Sequence, residues 1–120
     1  MKLLLAAAIL LPLLLPAPVR GGCSDAETNG FDCYRYALRA VRESSLPMVR
    51  EFAKKSKRAA AKALDSAEEC ACYGAEEAFL SAFRYARNAE KAETLEQSKE
   101  HLRDVLRSAE AGNEAAERCK

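Results

Sequence analysis

The stretch that most limits what this chain can fold into starts at Val49. Val49, Phe52, Ser56, Ala59, Ala60, Ala63 and Ala67 recur at helical spacing, while Arg50, Lys54, Lys57, Arg58 and Lys62 fall on the other side. A helix with an alanine stripe lets its neighbours approach closely. It removes little apolar surface from water, and burial stabilises by only about 25 cal/mol per Å2. Rods of this kind need a further device to hold them in register.

The cysteines supply a candidate. The chain has 120 residues, no tryptophan and five cysteines, at 23, 33, 70, 72 and 119. All five follow an N-terminal segment with the order of a secretory leader. Lys2 gives a basic start, an apolar run spans Leu3 to Leu15, and small residues surround Gly21. That run is shorter than the roughly 20 residues a membrane span requires. Residues 1–21 are therefore expected to be a signal peptide and residues 22–120 one secreted, extracellular domain. A small domain with a thin core in an oxidising compartment is where disulfides are used. An odd number leaves one thiol free or paired between chains.

The helical pattern gives four segments. A first helix is expected to start near Asp32, with Tyr34, Ala37, Leu38 and Val41 inward. Ser44 or Ser45 caps the second, with Pro47 in its first turn. Gly74 is expected to end it, although an unbroken helix from Pro47 to Ala92 is the rival. The third carries Ala75, Ala78, Phe79, Ala82, Phe83, Ala86 and Ala89 inward. Thr94 and Gln97 open the fourth as a capping box, with Leu95, Leu102, Val105, Leu106 and Ala109 inward. No internal repeat stands out beyond the alanine bias. The expected fold class is all-α: a small, disulfide-stapled up-and-down bundle of about four helices with a short N-terminal Cys hairpin.

Cys23 and Cys33 flank the turn signal Asn29-Gly30, so a bridge between them would close that hairpin. In a helical hairpin turning at Thr94, residues equidistant from the turn meet. Cys70 and Cys72 both satisfy that condition for Cys119, but they point about 200° apart on one helix. Cys70 continues the Ala63, Ala67 stripe, so Cys70–Cys119 is the expected pair and Cys72 the odd thiol. Unwinding at Gly74 would let the two exchange roles.

The chemistry-bearing residues do not suggest an enzyme. His101 is the single histidine, so there is no base–nucleophile dyad to build on it. No glycine loop of phosphate-cradling type is present. Cys70, Cys72, Cys119 and His101 lack the paired spacing of a closed zinc site. Neither metal nor cofactor is expected. Net charge is +1, yet Tyr34 to Lys62 is basic and the remainder acidic. Arg50, Lys54, Lys57, Arg58 and Lys62 are the candidate basic binding face. Secretion disfavours a nucleic-acid partner.

The stretches "CSDAETNGFDCYRYAL" (Cys23 to Leu38), "LPMVREFAKKSKRAAAKAL" (Leu46 to Leu64), "ECACYGAEEAFL" (Glu69 to Leu80) and "LRSAEAGNEAAERC" (Leu106 to Cys119) occur in an order that resembles the plant invertase and pectin methylesterase inhibitor family. That family is longer, has one cysteine where this chain has Cys70-Ala-Cys72, and carries a Pro-Lys-Phe stretch absent here, so no inhibitory residue transfers. The resemblance implies a secreted, non-catalytic binding protein acting on an extracellular carbohydrate-active enzyme. The alternatives are a helical carrier of a small apolar ligand, and a structural or signalling protein that forms a homodimer through Cys72.

Overall fold

Four helices follow one another with short turns between them. The structure, a computed structural model, describes residues 16–119, with side chains from residue 23. The helices are α1 (Pro16–Val41), α2 (Leu46–Glu69), α3 (Tyr73–Lys91) and α4 (Leu95–Arg118). Each packs along two neighbours in the ring α1–α2–α3–α4, and the diagonals touch little. This is the up-and-down all-α bundle expected, and no strand occurs among the described residues. Residues 1–15 of the expected leader lie outside the described residues.

The caps behave as their residue types require. Ser45 accepts a hydrogen bond from the Met48 amide at 3.3 Å, with Pro47 beside it in the first turn of α2. Thr94 accepts one from the Gln97 amide at 3.1 Å. Inward positions are mostly alanine. The largest fully buried side chains are Phe79, Leu102, Val49 and Val105.

Three local expectations are corrected. The first helix does not begin at Asp32: α1 runs unbroken through Asn29-Gly30, so no N-terminal hairpin forms. Gly30 serves packing instead of a turn. A Cβ there would fall 2.7 Å from Phe79 Cζ and closer still to Asn113 Oδ1. Gly112, inside α4, meets the same ring, and a Cβ there would lie 2.4 Å from Phe79 Cε1. Finally, Gly74 lies in the first turn of α3. The second helix ends earlier, in a Schellman turn: the Cys72 amide donates to Ala67 O at 3.0 Å and the Ala71 amide to Glu68 O at 3.1 Å. Ala71 takes the left-handed conformation, φ 55°, where glycine is usual.

The fold also reveals a repeat. A shift of 49 residues carries Cys23 onto Cys72, the N-cap Ser45 onto Thr94, and Cys70 onto Cys119. It carries Arg35-Tyr36-Ala37 onto Arg84-Tyr85-Ala86, and Leu46, Arg58, Ala60, Ala67 and Glu68 onto identical residues. Buried positions map onto buried ones along nearly the whole length. The bundle is thus two equivalent helical hairpins, 23–70 and 72–119, packed about a pseudo-two-fold axis.

Candidate functional site

Four of the five cysteines gather at one pole of the bundle. Cys23 on α1 bonds to Cys70 at the end of α2, with Cα atoms 5.4 Å apart. Cys72, just before α3, bonds to Cys119 at the end of α4, with Cα atoms 6.0 Å apart. The expected Cys23–Cys33 and Cys70–Cys119 pairs are corrected. Cys23 and Cys33 sit on one straight helix, about 15 Å apart along its axis at 1.5 Å per residue, beyond disulfide reach. The equidistance rule that pairs residues across the turn at Thr94 works equally across the turn at Ser45, where it joins Cys23 to Cys70. Once Cys70 is taken, Cys72 is the partner left for Cys119. Ala71 reverses the chain between them and sends each sulfur to its own hairpin.

The odd thiol is therefore Cys33, not Cys72, and Cys72 has no thiol left for a homodimer. Cys33 is fully buried between α1 and α2. Ser56 Oγ donates to the Cys33 carbonyl at 2.8 Å, so the Cys33 thiol donates in turn to Ser56 Oγ at 3.4 Å. Burial pushes the thiol up to about 11, partly offset by the bond to Ser56. A buried, protonated thiol is a poor nucleophile. Among the described residues no group of three or more His, Cys, Asp or Glu side chains could hold a metal.

Four of the five candidate basic residues on α2 separate into two pairs, because α2 has a neighbour on each flank. Arg50 and Lys57 turn toward the second hairpin. Arg50 donates to the Ala92 carbonyl from Nε at 3.2 Å, and again from its terminal nitrogen. Lys57 pairs with Glu90 at 2.6 Å. Arg58 and Lys62 turn the other way and, with Lys55 and Tyr36, line a shallow groove between α1 and α2. Lys54 is half-buried. Both Arg50 and Lys57 thus work inside the bundle and are not presented as one surface with Arg58 and Lys62.

Two further grooves lie where the hairpins meet, on opposite sides and near the disulfide pole. The α1/α4 groove, about 380 Å3, is lined by Glu27, Phe31, Tyr34, Glu110, Asn113, Glu114 and Glu117. The α2/α3 groove, about 470 Å3, is lined by Leu64, Glu68, Tyr73, Gly74, Glu76, Glu77 and Leu80. Among the described residues no Lys or Arg lines either groove. Phe31 is 56% exposed and Tyr73 76% exposed, unusual for side chains of that size. Sequence reading attended to the basic face and did not single out these carboxylates. The signal was there: Glu27 and Glu76, and Glu68 and Glu117, occupy the same places in the two halves. No family model, curated protein or solved structure matches this chain.

Proposed function

We propose that this chain is a non-catalytic binding protein of the extracellular space that docks a secreted protein partner on its helical surface. Inhibition of an extracellular carbohydrate-active enzyme is the form of that reading suggested by the resemblance to invertase and pectin methylesterase inhibitors. The observation that carries it is a twice-bridged helical scaffold with open grooves between its helices. Phe79 sits against Gly30 and Gly112 inside the bundle. Disulfides of this kind are compatible with an extracellular location.

The test is incubation of the oxidised protein with secreted invertases and pectin methylesterases, followed by gel filtration and activity measurement. A stoichiometric complex with lowered hydrolase activity is the expected result. Full activity and no complex with either class would refute the inhibitor form. Failure to retain any secreted protein from the source's own extracellular fluid would refute the binding reading.

A further inference from the structure

The first hairpin carries a run of cations that the second hairpin folds without. Lys55, Arg58 and Lys62 are exposed on α2 at spacings of three and four residues. With Asn29, Asp32 and Tyr36 they line a groove of about 250 Å3 between α1 and α2. The 49-residue shift carries Asn29, Asp32, Arg58, Ala59 and Lys62 of this groove onto Ala78, Ser81, Arg107, Ser108 and Ala111, which line the matching groove between α3 and α4. There Asp104 stands in place of Lys55 and pairs with Arg107, and Ala111 stands in place of Lys62. Three cations in one hairpin correspond to one paired arginine in the other. The same helix packing is built either way, so packing does not call for the cations. Like charges one turn apart repel, and the four ion pairs among the described residues include none of the three.

Aromatic rings steady this edge of the groove. Lys55 Nζ lies 5.2 Å from the centre of the Phe52 ring and 6.0 Å from that of Tyr36. The Arg39 guanidinium lies 4.8 Å from the Phe52 centre and reaches Glu43 at 3.9 Å. A ring contact positions a cation without cancelling its charge. His101 and Asn88 stand in place of Phe52 and Arg39 in the second hairpin, so that support is missing there. Glu51 and Asp65 bracket the run along α2. Between them, Lys55 to Lys62 covers about 10 Å of helix at 1.5 Å per residue.

The chemistry of the occupant follows from the lining. It must bring two or three anionic groups about one helical turn apart, roughly 5 Å. It must also bring hydrogen-bond donors, because the Asp32 carboxylate, to which Arg35 donates, can only accept. The large exposed apolar side chains Phe31, Met48 and Tyr73 lie outside the groove, so it holds no socket of the kind that seats the central anchor of a protein partner. A hydroxyl-rich polyanion meets these conditions. We propose that the α1/α2 groove binds an acidic oligosaccharide, with its sulfate or carboxylate groups on Lys55, Arg58 and Lys62 and its hydroxyls on Asp32 and Asn29. This site is additional to the docking of a protein partner and does not rest on it.

The experiment uses the full oxidised chain and two hexasaccharides, one sulfated and heparin-derived, the other of galacturonate. Calorimetric titration at low salt should give one equivalent of at least one of them per chain, and the one that binds distinguishes sulfate from carboxylate. Affinity should fall at least about tenfold at 0.5 M NaCl, where screening shortens to a few ångströms. The variant Lys55→Asp/Lys62→Ala gives the first groove the residues of the second. It should weaken binding at least about tenfold and leave circular dichroism unchanged, because both positions are exposed. Lys62→Gln alone should give a smaller loss in the same direction. Arg84→Ala/Arg87→Ala/Arg103→Ala removes the same net charge from exposed positions of the second hairpin and should leave affinity unchanged. Binding of neither hexasaccharide, equal loss in the two charge-matched variants, or equal binding of neutral maltohexaose would overturn the proposal. So would tighter binding of a hexaglutamate peptide, which would assign the groove to an acidic protein segment.

Discussion

At position 30 of the first hairpin stands a glycine; at the equivalent position 79 of the second stands the largest fully buried side chain among the described residues. The two belong together. The ring of Phe79 crosses toward the first hairpin and fills the space that the absent side chain of Gly30 leaves open. Cys33 and Ser56 form a hydrogen-bonded pair in the first hairpin, where the second has Ala82 and Val105. The α2–α3 contact includes the Lys57–Glu90 ion pair, and the positions corresponding to it, Leu106 and Val41, are apolar and pack on the core. What the halves share is covalent closure, an N-cap at the turn and alanine where helices approach. What they do not share is compensated across the axis. Facing volume is kept, not side-chain identity.

The largest effect should come from removing the shared closure. Both bridges span 47 residues. A loop of that size contributes about 4 kcal/mol in the chain-entropy model. Paired Cys→Ala changes at Cys23 and Cys70, or at Cys72 and Cys119, should therefore lower urea stability by similar amounts. Full reduction should remove about twice as much, a large part of the 5–15 kcal/mol typical of a domain, and leave a chain with little cooperative unfolding. A bridge that mattered less than half as much as the other would break the equivalence of the hairpins.

Phe79→Ala comes next, at about 3–5 kcal/mol for a lost aromatic and the cavity it leaves. Gly30→Ala should also destabilise, because its new methyl group would fall on the Phe79 ring and the Asn113 side chain. In the Phe79→Ala background the same change should be milder. Additive losses in that double-mutant cycle would contradict a direct contact between the two.

The Cys33 thiol distinguishes the halves by pH. Its ionisation is raised from 9.0 to about 11 in the folded chain. Above pH 9 the unfolded chain releases this proton first. The stability it confers is full below pH 9 and is lost as pH rises toward 11, by about 2 kcal/mol. The variant Cys33→Ala/Ser56→Val, which gives the first hairpin the residues of the second, should lose less stability than wild type over that interval. Paired melts at pH 8 and pH 11 measure the difference. An identical decline in both proteins would refute the assignment.

The smallest effects lie between the halves. Ala71→Gly should stabilise by about 0.5–1 kcal/mol, since glycine takes the left-handed turn without the strain an alanine bears. Lys57→Leu/Glu90→Val copies the apolar pair of the opposite contact and should change stability by no more than about 1 kcal/mol. A loss of several kcal/mol would mean that the ion pair has no apolar equivalent.

Much of this architecture was legible in the sequence. The stripes of α2, α3 and α4 and the caps at Ser45 and Thr94 follow from residue type and spacing. Asn29-Gly30 misled because glycine signals a turn when only local propensity is considered, while here it answers a ring from a distant helix. Gly74 misled in the same way: the reversal fell at Ala71, between cysteines bonded to different helices. The repeat was hidden because most matching positions are alanine, which carries little information in an alanine-rich chain. Its cysteines, caps and charged positions become diagnostic only when compared at a single offset. The grooves were invisible for a related reason: each is built from two helices of different hairpins, which no single periodic stripe reports.

Disulfide mapping tests the central claim most directly. Unreduced protein, digested with trypsin and sequenced by electron-transfer fragmentation of the linked peptides, should yield Cys23–Cys70 and Cys72–Cys119, with Cys33 alkylated only after denaturation. Recovery of Cys23–Cys33 or Cys70–Cys119 would contradict two separately closed hairpins and the pseudo-symmetry built on them.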